Sequence, residues 1–98
     1  MVVIKLFVGT CKLYLRADWV YSLKEKRMIL KSLMDRIRNK FNVSVAEVEE
    51  QDAHKSIVIA CSCVTNEKNH ANSILNKVID FVEMNTDAEI VDVIVEIF

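Results

Sequence analysis

The chain has no proline and only one glycine, Gly9, among its 98 residues. No glycine-rich or proline-rich linker can be drawn in it, and no low-complexity tract stands out. A single glycine also excludes the glycine-rich loops that cradle phosphates. Cysteine is scarce, with three residues, an odd number that suits no disulfide framework. Their thiols read as free, as in a reducing, cytoplasmic compartment. No apolar run approaches the ~18 residues needed to cross a bilayer, so no membrane contact is expected. The N-terminal MVVIKLFVG has neither a basic flank nor a small-residue cleavage site, and it does not read as a leader. Asn42-Val43-Ser44 matches a glycosylation sequon, which is silent in the cytoplasm.

What is present suits one domain, residues 1–98. Hydrophobic residues make up 52% and charged residues 28%, enough for one core without metal or disulfide support. The net charge of −1 hides an asymmetry. Residues 1–41 carry ten Lys/Arg against three Asp/Glu, and residues 42–98 carry three against eleven. Such a split points to a polyanion partner, to self-association of opposite faces, or to halves that interleave in the fold.

Hydrophobic periodicity sets the elements. Val2 to Arg16 is strand-like, with period two from Phe7: Cys11, Leu13 and Leu15 on one face, Thr10, Lys12, Tyr14 and Arg16 on the other. Gly9 inside it marks a bulge or a close approach. Ala17 to Tyr21 is a loop. Ser22-Leu23-Lys24-Glu25 is a capping box that opens a helix over Leu23 to Lys40. Asn42 to Glu50 reads as a second strand, Gln51 to His54 as a polar hairpin tip, and Ser56 to Val64 as a third strand. Asn66 opens a second helix, buried through Ala71, Ile74, Leu75, Val78, Phe81 and Val82. After a turn at Asn85 to Asp87, Ala88 to Phe98 is a fourth strand.

The order β-α-β-β-α-β with right-handed crossovers predicts an α+β, ferredoxin-like sandwich. Its four-stranded antiparallel sheet carries both helices on one face, with strands two and four at the edges. The other face stays open. Tyr14, Val58, Ala60, Val64, Ile90 and Ile94 are assigned to that face as candidate interface residues, and a homodimer through it or through an edge strand is expected.

Constellations for chemistry are sparse. Cys61 and Cys63 alternate on a strand and point into the core beside Cys11, whereas structural metal sites favour thiols on turns. His54 and His70 have no nucleophile in a recognisable motif, and the carboxylates Glu47, Glu49, Glu50 and Asp52 read as a solvated edge. No catalytic residue, metal site, cofactor or small-molecule substrate is assigned, and the chain does not read as an enzyme.

The first helix is more informative. Lys24, Arg27, Lys31 and Arg38 fall along one exposed stripe. Lys24, Lys26 and Arg27 crowd the N-terminal turn, where the helix dipole disfavours cations. A local rule broken without compensation marks a candidate site. Lys24, Lys26, Arg27, Lys31 and Arg38 are therefore candidate phosphate contacts, with Trp19, just upstream, as a stacking residue for RNA. Reading of RNA on the sheet face is not expected, because the third strand, KSIVIACSCV, has no aromatic residue.

Ser22-Leu23-Lys24-Glu25-Lys26-Arg27, Phe41-Asn42-Val43-Ser44-Val45-Ala46-Glu47-Val48 and Gln51-Asp52 together resemble the YlxP-like family (domain-of-unknown-function family 503). The resemblance covers nearly the whole chain. It implies a ferredoxin-like fold and, by gene association, a role at the ribosome or on RNA, but no activity. Two places depart from the family pattern. Ala53-His54-Lys55 lacks the larger apolar residues expected after Gln-Asp, and Ala17-Asp18-Trp19-Val20-Tyr21 is more aromatic than expected.

Overall fold

The computed structural model describes residues 5–98. Its elements follow in the predicted order: β1 (Phe7–Arg16), α1 (Leu23–Lys40), β2 (Ser44–Glu49), β3 (Ser56–Thr65), α2 (Lys68–Asn85) and β4 (Glu89–Ile97). The Val2–Ile4 part of the expected first strand lies outside the described residues. The strands pair antiparallel in the order β2-β3-β1-β4, so β1 and β3 are central and β2 and β4 are edges. This is the ferredoxin-like arrangement.

The capping signal read for α1 is met in the structure, whereas α2 starts without a side-chain cap. Ser22 caps α1 by accepting the Glu25 N–H at 3.1 Å, half of the capping box. α2 begins two residues after the expected Asn66, at Lys68. Its N-cap, Glu67, makes no side-chain cap bond. The C-terminal ends of the helices meet through an edge-to-face contact of Phe41 and Phe81, with centroids 5.6 Å apart.

The core lies between sheet and helices. Cys11, Leu13 and Leu15 of β1 face Ile57, Ile59, Cys61 and Cys63 of β3, beneath Leu30, Leu33 and Ile37 of α1 and Leu75, Val78 and Val82 of α2. Burial of a side chain of leucine or isoleucine size contributes about 1.5–3 kcal/mol. Gly9 is not a bulge. It is the point where α2 comes closest to the sheet: an added Cβ would sit 3.0 Å from Leu75 Cδ1, 3.2 Å from Cys63 Sγ and 3.3 Å from Ala71 Cβ.

Two bulges occur elsewhere, both on edge strands. On β4, Tyr14 faces Asp92 and Leu15 faces Ile90, which leaves Val91 as the extra residue. On β2, Glu47 faces Ile59 and Glu49 faces Val58, which leaves Val48 over. A bulge shifts the phase of a strand, so the residues beyond it change faces.

Gly9→Val is expected to destabilise the fold by about 1–3 kcal/mol through overpacking against α2. Urea denaturation measures the loss, and adding Ala71→Gly should recover part of it.

Candidate nucleic-acid interface

The basic residues of α1 separate into groups with different roles. Lys24, Arg27, Lys31 and Arg38 are exposed on the flank of α1 that turns toward β2. The direction of that flank is shown by Arg38, whose guanidinium donates to the Val45 carbonyl on β2 at 2.9 Å. Asp35 sits within the stripe. It pairs with Lys31 at 2.8 Å and with Arg38 at 3.3 Å. These cations, the bonded Lys31 ammonium first, hold its carboxyl below the usual aspartate range. Lys24 and Arg27 have no hydrogen-bond or ion-pair partner among the described residues.

Lys26 does not belong to this surface. It is 1% exposed, the one charged side chain in the interior among the described residues. Its ammonium donates to the carbonyls of Glu50 at 2.7 Å and Ala53 at 2.6 Å. It also lies 2.8 Å from Glu47 Oε2. That oxygen is buried, and it faces the ammonium as a charge contact outside hydrogen-bond geometry. Glu50 and Ala53 bound the β2–β3 turn, closed by Ala53 N–H donating to Glu50 O at 3.1 Å. Glu50 takes a left-handed φ of 60° there, sterically disfavoured for a residue with a Cβ. The expectation that Lys26 contacts a phosphate is thus corrected. The lysine crosses from α1 to hold the hairpin, and its place at the dipole-disfavoured helix end has a structural cause.

Trp19 is also placed apart from the stripe. It is 49% exposed and borders a groove with Met28, Ile29, Ser32 and Arg36 of α1 and Asn85 to Asp87. This groove lies on the α2 side of α1, across the helix from Lys24 and Arg27. Arg36 reaches over it toward the Asn85 carbonyl at 3.5 Å. Spacing along the sequence placed Trp19 beside the basic turn, but the loop carries its ring to the opposite flank.

On the open face, Tyr14, Ala60, Val64 and Ile94 point outward as expected, with Val64 66% exposed. Two of the assigned interface residues do not. Val58 is 3% exposed. In the register it lies between Tyr14 and Glu49, and the Lys12–Glu49 ion pair crosses over β3 beside it. Lys12 also sits 5.2 Å from the Tyr14 ring centroid, a cation–π contact. Ile90 is corrected by the β4 bulge. It pairs with Leu15 and packs against the core, while Val91 turns out beside Tyr14 and Val58. The acidic hairpin is likewise less solvated than its composition implied, since Glu47 and Glu49 both hold lysines.

The three thiols all lie in the core as free cysteines. Cys11 and Cys61 face each other across β1 and β3. Its hydrogen bond with Cys11, added to burial, pushes the Cys61 thiol far above its ordinary range, and burial raises Cys63. Among the described residues no group of three His, Cys, Asp or Glu side chains is placed to hold a metal ion. No described helix is long and apolar enough to cross a membrane.

The fold and surface thus define a small α+β ferredoxin-like domain with one cationic helix flank. The chain belongs to the DUF503 family, described as a protein of unknown function, whose model matches residues 8–95. It is 34% identical over 68 residues to the uncharacterized protein YlxP of Bacillus subtilis (strain 168), covering 69% of this chain and 74% of that one. Among solved structures, the de novo designed protein Foldit4 aligns with a TM-score of 0.56 at 10% identity, covering 95% of this chain and 96% of the design. SnoaB, a cofactor-independent oxygenase from Streptomyces nogalater, aligns with a TM-score of 0.46 at 8% identity, covering 96% and 91%. The likeness to Foldit4 concerns the fold alone, and the likeness to SnoaB carries no argument about chemistry.

Lys26→Met is expected to destabilise the protein by about 3–5 kcal/mol, because it leaves Glu47 as an unpaired buried charge. Urea titration reads the loss, and Lys26→Met/Glu47→Leu should recover much of it. In the native protein Cys11, Cys61 and Cys63 should resist a thiol reagent at neutral pH, and all three should react once the chain is unfolded. Rapid labelling of the native protein would show the core packing to be wrong.

Proposed function

We propose that this protein is a non-enzymatic binding protein that docks on RNA or a ribosomal particle through the outer flank of α1. The observation that carries the reading is the pair Lys24 and Arg27. Both stand exposed at the N-terminal end of the helix with no partner among the described residues, and Lys24 lies in the first turn, where the dipole disfavours a cation. Lys26, the third basic residue of that turn, is accounted for by the hairpin, and these two are not. A bound phosphate would reverse the sign of this cost, since helix N–H groups and both side chains would then converge on an anion.

Lys31 and Arg38 extend the stripe toward the C-terminal end of α1. Asp35 offsets part of their charge, so they serve as secondary contacts. Trp19 is left out of this footprint by its place across the helix. The reading is therefore one of backbone contact, positioned by charge and indifferent to base sequence.

Fluorescence anisotropy of the purified protein with a labelled RNA hairpin, as a function of salt, tests the proposal. Binding should weaken linearly in log K against log salt. Lys24→Glu and Arg27→Glu should each lower the affinity, and Lys24→Ala and Arg27→Ala should each reduce the slope by about one. Unchanged binding in the charge-reversed double variant, or no binding at low salt, would overturn the reading.

A further inference from the structure

We infer that the edge of β4 is the seam of a homodimer in which two copies pair antiparallel about a two-fold axis through Val95. The proposal is independent of the α1 reading, since it uses the opposite edge of the sheet from the one that α1 flanks.

The direction of the free backbone groups is set by the end of the strand. Phe98 N–H donates to Val8 O at 2.8 Å, and Val8 N–H donates to Phe98 O at 3.0 Å. In an antiparallel ladder the inward-bonded residues alternate, so Glu96, Ile94 and Asp92 also turn their backbone groups toward β1. Val93, Val95 and Ile97 therefore turn theirs outward. Val93 agrees: its N–H is held by the neighbouring Asp92 Oδ1 at 2.8 Å, a local substitute for a missing strand. No other partner of these outward groups occurs among the described residues.

The two edges of the sheet are treated differently. β2 is six residues long, carries a bulge at Val48 and has its Val45 carbonyl occupied by Arg38. These are the usual protections against pairing. β4 runs for nine residues, Glu-Ile-Val-Asp-Val-Ile-Val-Glu-Ile, contains no lysine, arginine or proline, and confines its bulge to Val91, which leaves Asp92 to Ile97 regular. Val95 pairs with Cys11, yet it is 39% exposed, and unlike Val93 and Ile97 it is not packed against the core.

A second copy fits this edge in one register. The two-fold axis pairs a residue with itself, and the unbulged stretch supplies Val93, Ile94, Val95 and Glu96 as centres. An axis through Ile94 sets Asp92 against the other chain's Glu96. An axis through Glu96 sets that carboxylate against its own copy. Like charges directly opposite are destabilising. An axis through Val93 runs the ladder into the Val91 bulge. An axis through Val95 avoids all three faults. Val93 then pairs with Ile97 of the other chain, Val95 with Val95, and Ile94 with Glu96. The outward backbone groups of Val95 and Ile97 gain partners, and the Val93 N–H exchanges its Asp92 acceptor for a strand carbonyl. The exposed Val95 side chains meet on the axis, and the two sheets become one of twice the width.

Mixed disulfide trapping tests the register, because Ile94 and Glu96 of opposite chains form a close, non-hydrogen-bonded pair. Ile94→Cys mixed with Glu96→Cys should form a disulfide-linked heterodimer under mild oxidation, while each variant alone should not. The native thiols, buried in the core, stay silent. Sedimentation should show a dimer for the unaltered protein and a monomer for Val95→Lys, whose circular dichroism should remain that of the folded chain. A monomer at millimolar concentration would overturn the proposal. So would a dimer that gives no mixed crosslink, which would place the contact on the open face or on another register.

Discussion

The Lys26 ammonium is the contact on which the arrangement around it depends. It starts on the first turn of α1, passes into the interior and ends between two carbonyls of the β2–β3 turn and the carboxylate of Glu47. A buried cation is tolerated only where hydrogen bonds and an opposite charge replace its water. That requirement couples three elements that are distant in sequence. α1 must lie over β2, the turn must direct two carbonyls inward, and β2 must bulge after Glu47 so that this side chain faces the helix while Glu49 faces out. The left-handed backbone at Glu50 fits the same demand, since it directs a carbonyl toward the lysine.

The same logic accounts for much of the charge division along the chain. The basic first half and the acidic second half meet through Lys26 with Glu47 and through Lys12 with Glu49. A split β-α-β fold interleaves its halves, and opposite charges far apart in sequence become neighbours. The interleaving leaves the outer flank of α1 with unneutralised cations and β4 with unanswered carboxylates. Both sets of charges are what remains after the internal pairs have formed. They lie toward opposite edges of the sheet, α1 beside β2 and β4 beyond β1.

Much of the fold was legible in the sequence. The period-two pattern of β1 and β3, the 3.6-residue pattern of both helices and the capping Ser22 are local properties, and local geometry reads them directly. The burial of Cys11, Cys61 and Cys63 followed from the same alternation. The candidate site was legible only in part. Lys24, Arg27, Lys31 and Arg38 lie together because helical spacing alone sets their stripe. Lys26 was misassigned because a basic residue in a basic turn gives no sign that it points inward. The one hint was Glu47, an acidic residue two positions from the buried Val45.

By itself the sequence determined the order of elements, their core-facing residues and the exposed cationic stripe, because each depends on periods of a few residues. Only the tertiary structure decided the fate of Lys26, the side on which Trp19 lies, and the exchange of Ile90 for Val91 on the open face. Those outcomes rest on contacts across tens of residues and on one-residue bulges. A bulge reverses the facing of every residue beyond it in a strand, and composition and periodicity carry no mark of where one will fall.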